Sequence, residues 1–327
     1  MKKILFSVLA MAALAACSTE EQIAAPKGEA IAFGNAFVDN SVRADAATDP
    51  SYSTTGTKGV ALTQFNVYGA VNGVNIFNGN TVTKGDVAYG SAWTLTGAKQ
   101  YWIAGADYKF VGVVDGNKTV GETVVTKTNL DEAGLPKTIE YTVDGATDLL
   151  CDVEIREDVA APYQIVAFNY THLLSKVKFS VKNTTSADAA NYRFKLASAK
   201  LTGVYSSAVY NVAGDSWDTT GKGTREYVLE NLIVNSNSQQ YHSQEVLLLP
   251  GTVGVYVKAD IEASDDNGAT WKKVSEVEKT FAAAATLVKG SAYHFIVELG
   301  VGTEIQFTAA TMDEWADGDG ANDTTLQ

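Results

Sequence analysis

The chain has 327 residues, a formal net charge of -13 and 46% hydrophobic residues. This length accommodates two ordinary domains, and the apolar content is sufficient for packed cores. The acidic balance disfavours a surface that binds nucleic acid or anionic lipid, because both carry negative charge. The two cysteines provide no disulfide framework if one of them carries lipid.

The first seventeen residues have the pattern of a bacterial lipoprotein signal. Lys2 and Lys3 precede an apolar run at residues 4–13, which is too short to span a bilayer as a stable helix. The letters LAAC then end at Cys17, where small residues permit cleavage and a thiol can carry diacylglycerol. We therefore expect residues 1–16 to be removed and Cys17 to be lipidated. The alternative is an ordinary secretory signal with an incidental cysteine.

A single strand is predicted soon afterwards, at residues 30–38. The large apolar side chains of this segment are Ile31, Phe33 and Phe37. Because they lie at alternate positions, they indicate a strand with one bulky face. A polar segment follows, and it contains Arg43, the first arginine of the chain. This segment is a candidate cleavage site for a trypsin-like protease.

The rest of the chain predicts many short strands and almost no helix. Alternating or aromatic-rich apolar patterns mark strands at residues 62–71, 108–114, 138–143, 175–182, 192–196, 253–261, 271–281, 293–299 and 305–311. A turn at residues 171–174 and the alanine run at residues 282–285 are the only helix candidates. An acidic stretch at residues 152–162 gives the best domain boundary. The fold class is therefore all-β, made of sandwiches or barrels.

Motifs that carry chemistry are missing from the sequence, so we predict no enzyme, no cofactor and no bound metal. None of the three histidines has a partner at metal-ligand spacing. For His172 a structural role at the domain junction is favoured over a site. Cys151, within an apolar stretch, is predicted to be a core residue. The Asp-rich runs at residues 265–268 and 317–320 are interpreted as a turn and a tail rather than as calcium loops.

Several motifs, taken in order, resemble those of one family. Residues 168–179, FNYTHLLSKVKF, resemble the motif that opens the C-terminal domain of fimbrillins, the major fimbrial subunits of Bacteroidales. Residues 101–110, YWIAGADYKF, resemble the N-terminal-domain motif of that family, and residues 148–150 the strand that ends its N-terminal domain. Further matches are at residues 249–251, residues 289–293 and Trp315. Together with the lipoprotein signal, the resemblance spans nearly the whole chain.

The resemblance implies a precursor with two transthyretin-like β-sandwich domains in tandem, at residues 44–163 and 164–327. It also implies export to the cell outer membrane as a lipoprotein, followed by a cut between Arg43 and Ala44 by an arginine-specific protease. That cut would remove residues 17–43, with their strand. The groove left behind could accept another subunit by donor-strand addition. The implied partners are other copies and other fimbrial subunits in an extracellular fimbrium.

The C-terminal region contains a candidate donor strand at residues 303–315. Ile305 and Phe307 repeat the Ile-x-Phe spacing of the propeptide strand, and Ala309 and Thr311 share their face. The alternative is that this segment is the last strand of its own domain. The sequence leaves both interpretations open.

Two further functions also stay open on the sequence. One is an accessory or tip subunit of the same kind of fibre. The other is a surface lipoprotein that binds glycans on exposed aromatic platforms, for which Trp93, Trp102 and Trp217 are the candidates. For these three indoles, packing in a β-sandwich core is the favoured interpretation.

Overall fold

The structure is a computed structural model that describes residues 28–38, 62, 64–84, 93–185, 191–227, 233–234, 239–241, 245–301 and 305–314. These residues form strands and no helix, which confirms the predicted all-β fold class. In chain order the strands are β1 Phe33–Val38, β2 Gln64–Val71, β3 Val74–Lys84, β4 Trp93–Leu95, β5 Tyr108–Val114, β6 Thr119–Val120, β7 Thr123–Val124, β8 Thr126–Leu130, β9 Pro136–Thr142, β10 Leu150–Arg156, β11 Val166–His172, β12 Ser175–Asn183, β13 Tyr192–Asn211, β14 Ser216–Tyr227, β15 Ile233–Val234, β16 Gln239–Tyr241, β17 Val246–Leu248, β18 Gly251–Ala263, β19 Lys272–Leu287, β20 Ser291–Leu299 and β21 Gln306–Glu314. No helix in this part of the chain is long and apolar enough to cross a membrane.

The N-terminal half is built on a seven-stranded sheet in the order β1-β11-β10-β5-β2-β3-β4. Neighbouring strands run antiparallel, except that β1 runs parallel to β11. The tight connection between β2 and β3 is made by Asn72 and Gly73, whose φ angles are 47° and 78°. Asparagine and glycine tolerate this left-handed conformation, which two-residue hairpin turns require.

Both faces of this sheet are covered near its centre. One face carries a largely aromatic core, to which β2, β3, β5 and β11 contribute Phe65, Phe77, Phe110 and Phe168. The opposite face packs against β9, for example through Val111 and Ile139. Strands buried on both faces are expected to be rich in apolar residues, as β5 is.

The C-terminal half is a sandwich of two sheets. One contains β16-β12-β20-β21, with β17 also paired to β12, and the other runs β19-β18-β13-β9-β8, with β14 and β15 paired to β13. Their inner faces meet in a core that includes Phe179 of β12, Phe295 of β20 and Val257 of β18. All three side chains are fully buried. The alternation of buried and partly exposed residues along most of β12 and β20 follows from this packing.

The strand β13 belongs to both halves of the molecule. Its first part, from Tyr192 to Thr202, pairs with β18, and its last part, from Ser207 to Asn211, pairs with β9. Hydrogen bonding likewise places β11, which follows the expected division at residues 163 and 164, in the first sheet. The division itself stays a prediction, and one sheet is continuous across the two halves.

The two helix candidates of the sequence are wrong. The alanine run at residues 282–285 lies within β19, and residues 171–172 end β11. In β19 the antiparallel register with β18 determines the conformation, for example through the pairing of Ala285 with Val253. Tertiary pairing therefore overrides the intrinsic helix propensity of alanine.

Candidate functional site

The segment formed by β1 and the residues before it, 28–38, is held by main-chain contacts on two sides. Towards β11 the register pairs Phe33 with Val166, and the Val166 amide donates to the Ala32 carbonyl at 2.9 Å. On the other side, the Ile31 amide donates to the Gln100 carbonyl at 2.9 Å. The Trp102 amide donates to the Glu29 carbonyl at 3.0 Å. The segment that begins at Gly28 therefore lies between two other parts of the N-terminal half.

The side chains of this segment reach the aromatic core. Ile31 and Phe33 are 6% and 5% exposed. The Phe33 ring meets Phe77 and Phe110 edge-on at centroid distances of 5.4 and 5.9 Å, and it stacks on Phe168 at 6.4 Å. Edge-to-face and offset pairs at these distances are favourable beyond the area they bury. Phe33 is therefore a central member of the core, although it comes from the N-terminal segment.

Gly34 lies where the first sheet curls until its edge strands β1 and β4 approach each other. A Cβ at this position would lie 3.1 Å from Cγ2 of Ile165 and 3.5 Å from Cδ1 of Trp93. The sequence did not indicate that Ile165 and Trp93 flank this glycine. Glycine inside a strand pattern was the available signal, because it often marks a close approach.

Replacing Gly34 by valine is expected to destabilise the precursor by about 1–3 kcal/mol, since the added side chain overpacks the gap between Ile165 and Trp93. Chemical denaturation of the variant measures this loss. In an Ile165→Ala background the same substitution should cost less, because the nearer neighbour is gone. Equal costs in both backgrounds would show that Ile165 does not constrain this position.

The predicted processing sites lie outside the described residues. This applies to the lipidated Cys17 and to the cut between Arg43 and Ala44, which stay predictions. Phe37 lies within β1, and its backbone pairs with Asn169.

The candidate donor segment is paired within its own chain. β21 runs antiparallel to β20, with Phe307 opposite Val297 and Thr311 opposite His294. Ile305, which precedes β21, is 8% exposed and belongs to the C-terminal core. Ala309 falls in the irregular stretch of this pairing. β21 forms the edge of its sheet, so a donor role would require its pairing with β20 to be broken and Ile305 to leave the C-terminal core.

The three tryptophans pack against other rings. Trp102 is 6% exposed and stacks on Tyr163 at 5.6 Å. The indole N–H of Trp217 donates to the Leu173 carbonyl at 2.8 Å, and Trp93 lies 5.4 Å from Phe65. These contacts favour the core interpretation over a glycan platform, as expected for large aromatics in β-sandwiches.

His172 is buried at the junction of the two halves, and its Nδ1 lies 2.6 Å from Oδ2 of Asp148. This geometry fits the structural role assigned from the sequence, although the partner was not identified there. The ring of His294 contacts the Ser180 hydroxyl through Nε2, and His242 lies outside the described residues. Across the described ranges, no group of three or more His, Cys, Asp or Glu side chains could hold a metal.

The Asp-rich run at residues 265–268 forms a turn between β18 and β19. The Asp266 carboxylate accepts hydrogen bonds from the Thr270 hydroxyl and amide and from the Ser264 hydroxyl. These hydrogen bonds lower the pKa of Asp266 to about 2. The Asp266 carboxylate therefore stabilises the turn through these hydrogen bonds. The other run, at residues 317–320, lies outside the described residues.

Cys151 is buried, and burial raises the pKa of its thiol to about 12. Because the thiolate is the reactive form, we expect no reaction with an aromatic disulfide reagent at about pH 8 in the native protein without Cys17. Full reaction is expected after unfolding. A Val124→Cys variant, whose position is exposed, serves as the positive control. Rapid labelling of native Cys151 would contradict its core placement.

A sequence model of a family described as Fimbrillin-like matches residues 52–315. A search of curated proteins finds no match. Among solved structures, a fimbrial protein from Bacteroides vulgatus has a TM-score of 0.54 and 13% identity, covering 88% of this chain and 100% of that chain. A candidate cell adhesion protein from Bacteroides uniformis has a TM-score of 0.46 and 17% identity, covering 88% and 98%. One from Parabacteroides distasonis has a TM-score of 0.48 and 7% identity, covering 89% and 96%.

The first of these structures supports the fold, and the family is established by the sequence match. That match extends from before β2 to the residue that follows β21. It covers most of the chain, and the chain therefore belongs to the fimbrillin-like family.

Proposed function

We propose that this chain is the precursor of a fimbrial subunit that polymerises by donor-strand exchange. Family membership supports a fimbrial structural subunit at the cell surface that associates with other subunits. In the proposal, lipid on Cys17 holds the exported precursor at the outer membrane, and an arginine-specific protease cuts between Arg43 and Ala44. The strand β1 then leaves, and residues 303–315 of another copy take its place.

The position of β1 is the observation that carries the proposal. β1 is an edge strand, and the chain between its last residue, Val38, and the start of β2 at Gln64 contains Arg43. A cut there would leave β1 attached only by noncovalent contacts. It would then be a peptide seated in a groove lined by Phe77, Phe110 and Phe168.

The contacts at this groove supply binding energy of the same order as the cost of association. Burial of Ile31 and Phe33 contributes about 1.5–3 kcal/mol each. The main-chain hydrogen bonds add about 0.5–1.5 kcal/mol each. Association costs about 4–15 kcal/mol, so a donor strand that binds tightly must match these contacts and add further ones along its length. Residues 305–307 repeat the Ile-x-Phe spacing of residues 31–33.

The test uses purified precursor without residues 1–17, treated with an arginine-specific protease. N-terminal sequencing should identify Ala44 as the new N-terminus. Gel electrophoresis should show heat-stable ladders of copies, and gel filtration should show the corresponding oligomers. Arg43→Lys is the matched control, because it keeps the charge but removes the recognised side chain, and it should stay uncut and monomeric. Cleaved wild-type protein that remains strictly monomeric would overturn the proposal.

Deleting residues 304–327 tests the donor segment. We expect a folded protein that is cut normally but does not polymerise, because β21 is an edge strand of its sheet. An unfolded product would assign Ile305 and β21 to the core of their own domain instead.

A further inference from the structure

The strand β1 contains a β-bulge. Its pairing with β11 advances by three residues along β1, from Gly34 to Phe37, and by only two along β11, from Ala167 to Asn169. Two residues of β1 therefore lie opposite a single residue of β11. Bulges are rare between parallel strands, and they fix the register of the strand that contains them. A strand that replaces β1 must reproduce this bulge to keep the same pairing on both sides of it.

The candidate donor strand β21 contains a bulge at the equivalent place. It pairs Thr308 with Ile296 and Thr311 with His294, so three steps along β21 match two steps along β20. In both strands the bulge begins two residues after the phenylalanine of the Ile-x-Phe pair. The partners differ, because β11 is parallel to β1 whereas β20 is antiparallel to β21. The bulge therefore occurs at the same place against two different partners.

The sequences of the two strands align over this interval without a gap. Residues 31–38 are IAFGNAFV and residues 305–312 are IQFTAATM, so the bulge of the second strand falls on that of the first. Within residues 31–34, the buried positions hold isoleucine, phenylalanine and glycine. The isoleucine and the phenylalanine are identical in residues 305–308, but the glycine, Gly34, is replaced by Thr308. The donor therefore differs from β1 at one buried position of this segment.

The position of Gly34 has little space for a threonine. A Cβ there would lie 3.1 Å from Cγ2 of Ile165 and 3.5 Å from Cδ1 of Trp93, and a threonine adds a hydroxyl and a methyl group beyond its Cβ. The Trp93 indole packs on Phe65 at a centroid distance of 5.4 Å. Ile165 is 54% exposed and can turn towards solvent. A donor that carries Thr308 at this place must therefore displace the Ile165 side chain.

We propose that Ile165 is a specificity-determining residue of strand exchange, which selects the side chain at position 308 of the incoming donor. This inference rests on the proposed strand exchange. The donor enters in the direction of β1, with residues 309–310 bulged at the place of residues 35–36, and its Thr308 lies against Ile165. The precursor's own strand carries glycine there and makes no such contact. Ile165 therefore limits which donors the groove accepts, because a larger side chain at position 308 cannot be accommodated.

A pair of cysteines tests the register. The precursor without residues 1–17 carries Ile165→Cys and Thr308→Cys, and its own Cys151 is buried. After cleavage and oxidation, we expect disulfide-linked copies on a non-reducing gel, because the proposed register brings the two Cβ atoms close enough for a disulfide. The uncut precursor is the control and should form no such link, since β1 still fills the groove. A stronger link from Ala309→Cys than from Thr308→Cys would show a register shifted by one residue and would overturn the inference.

A larger side chain at the same position tests the selection. Thr308→Ile should slow polymerisation of the cleaved protein at least about tenfold, because the added methylene overpacks the site. In an Ile165→Ala background the rate should return to within about threefold of wild type, because the two side chains are coupled. Ile155→Ala is the matched control background, since Ile155 is an isoleucine with a similar exposed fraction of 59%, and it should not restore the rate.

The outcomes separate this inference from the proposed function. If Thr308→Ile slows polymerisation equally in the wild-type and Ile165→Ala backgrounds, the effect lies within the donor's own domain and the inference is wrong. If Thr308→Ile polymerises as fast as wild type, Ile165 does not select the donor, and the inference is again wrong while strand exchange stands. A wild type that never polymerises after cleavage would overturn the proposed function and this inference together.

Discussion

A protein expressed from Ala44 onward, without β1, is expected to lose the cooperative folding of its N-terminal half. Removing β1 and its lead-in takes away Ile31, Phe33 and main-chain hydrogen bonds to Gln100 and Val166. Together these contribute about 4–9 kcal/mol. Whole domains are stable by only about 5–15 kcal/mol. The exposed aromatic core should then bind a hydrophobic dye and lose its near-ultraviolet circular dichroism.

A synthetic peptide of residues 28–38, added in trans, should restore the folded state. A scrambled peptide of the same composition is the control, because it keeps the hydrophobicity but not the alternation. A peptide with Phe33→Ala should bind about a hundredfold more weakly or worse, as a loss of about 3 kcal/mol implies. Native-like spectra and an unchanged melting temperature without any peptide would contradict the expectation.

Phe33→Ala in the intact precursor is expected to lower the free energy of unfolding by about 3–5 kcal/mol. The substitution leaves a cavity among Phe77, Phe110 and Phe168, which are fixed by their own strands and cannot collapse into it. For a unit of this size the melting temperature should fall by about 6–20 °C. Differential scanning calorimetry gives this value.

Val120→Ala is the control for that measurement, because the side chain is half exposed in a small hairpin. It should change stability by less than about 0.5 kcal/mol. A loss below about 1 kcal/mol for Phe33→Ala would mean that the aromatic core closes without the propeptide ring. The groove would then offer little binding energy to any incoming strand.

The strands with one buried face and one solvent-exposed face were predictable from the sequence. In β12 and β20 the alternate positions that hold Phe179 and Phe295 are buried, and most of the residues between them are polar and partly exposed. Apolar residues at every second position indicate such burial directly, because successive side chains of a strand point to opposite faces. The all-β class followed from many segments of this kind.

Strands defined by pairing rather than by burial were not predictable. β14 consists largely of polar residues and glycine, and it is a strand because its backbone pairs with β13 over most of its length. The full length of β13 was missed for the same reason, since the sequence indicated only residues 192–196. Partners distant in the chain supply these hydrogen bonds, so no local pattern reveals them.

The candidate site was likewise predictable only in part. The Ile-x-Phe spacing indicated that Ile31 and Phe33 share a bulky face, but not which core receives them. The parallel pairing with β11 joins residues more than a hundred positions apart in the chain. Only the glycine at position 34 gave a local sign of the close approach to Ile165.

The continuity of β13 has a mechanical consequence for a subunit under tension. A pull between the two halves acts along β13, which is bonded to β18 in one half and to β9 in the other. The hydrogen bonds of antiparallel strands lie across the strand direction, so many of them bear such a load together in shear. Separating the halves therefore requires sliding whole strands past one another, whereas a flexible linker would simply extend.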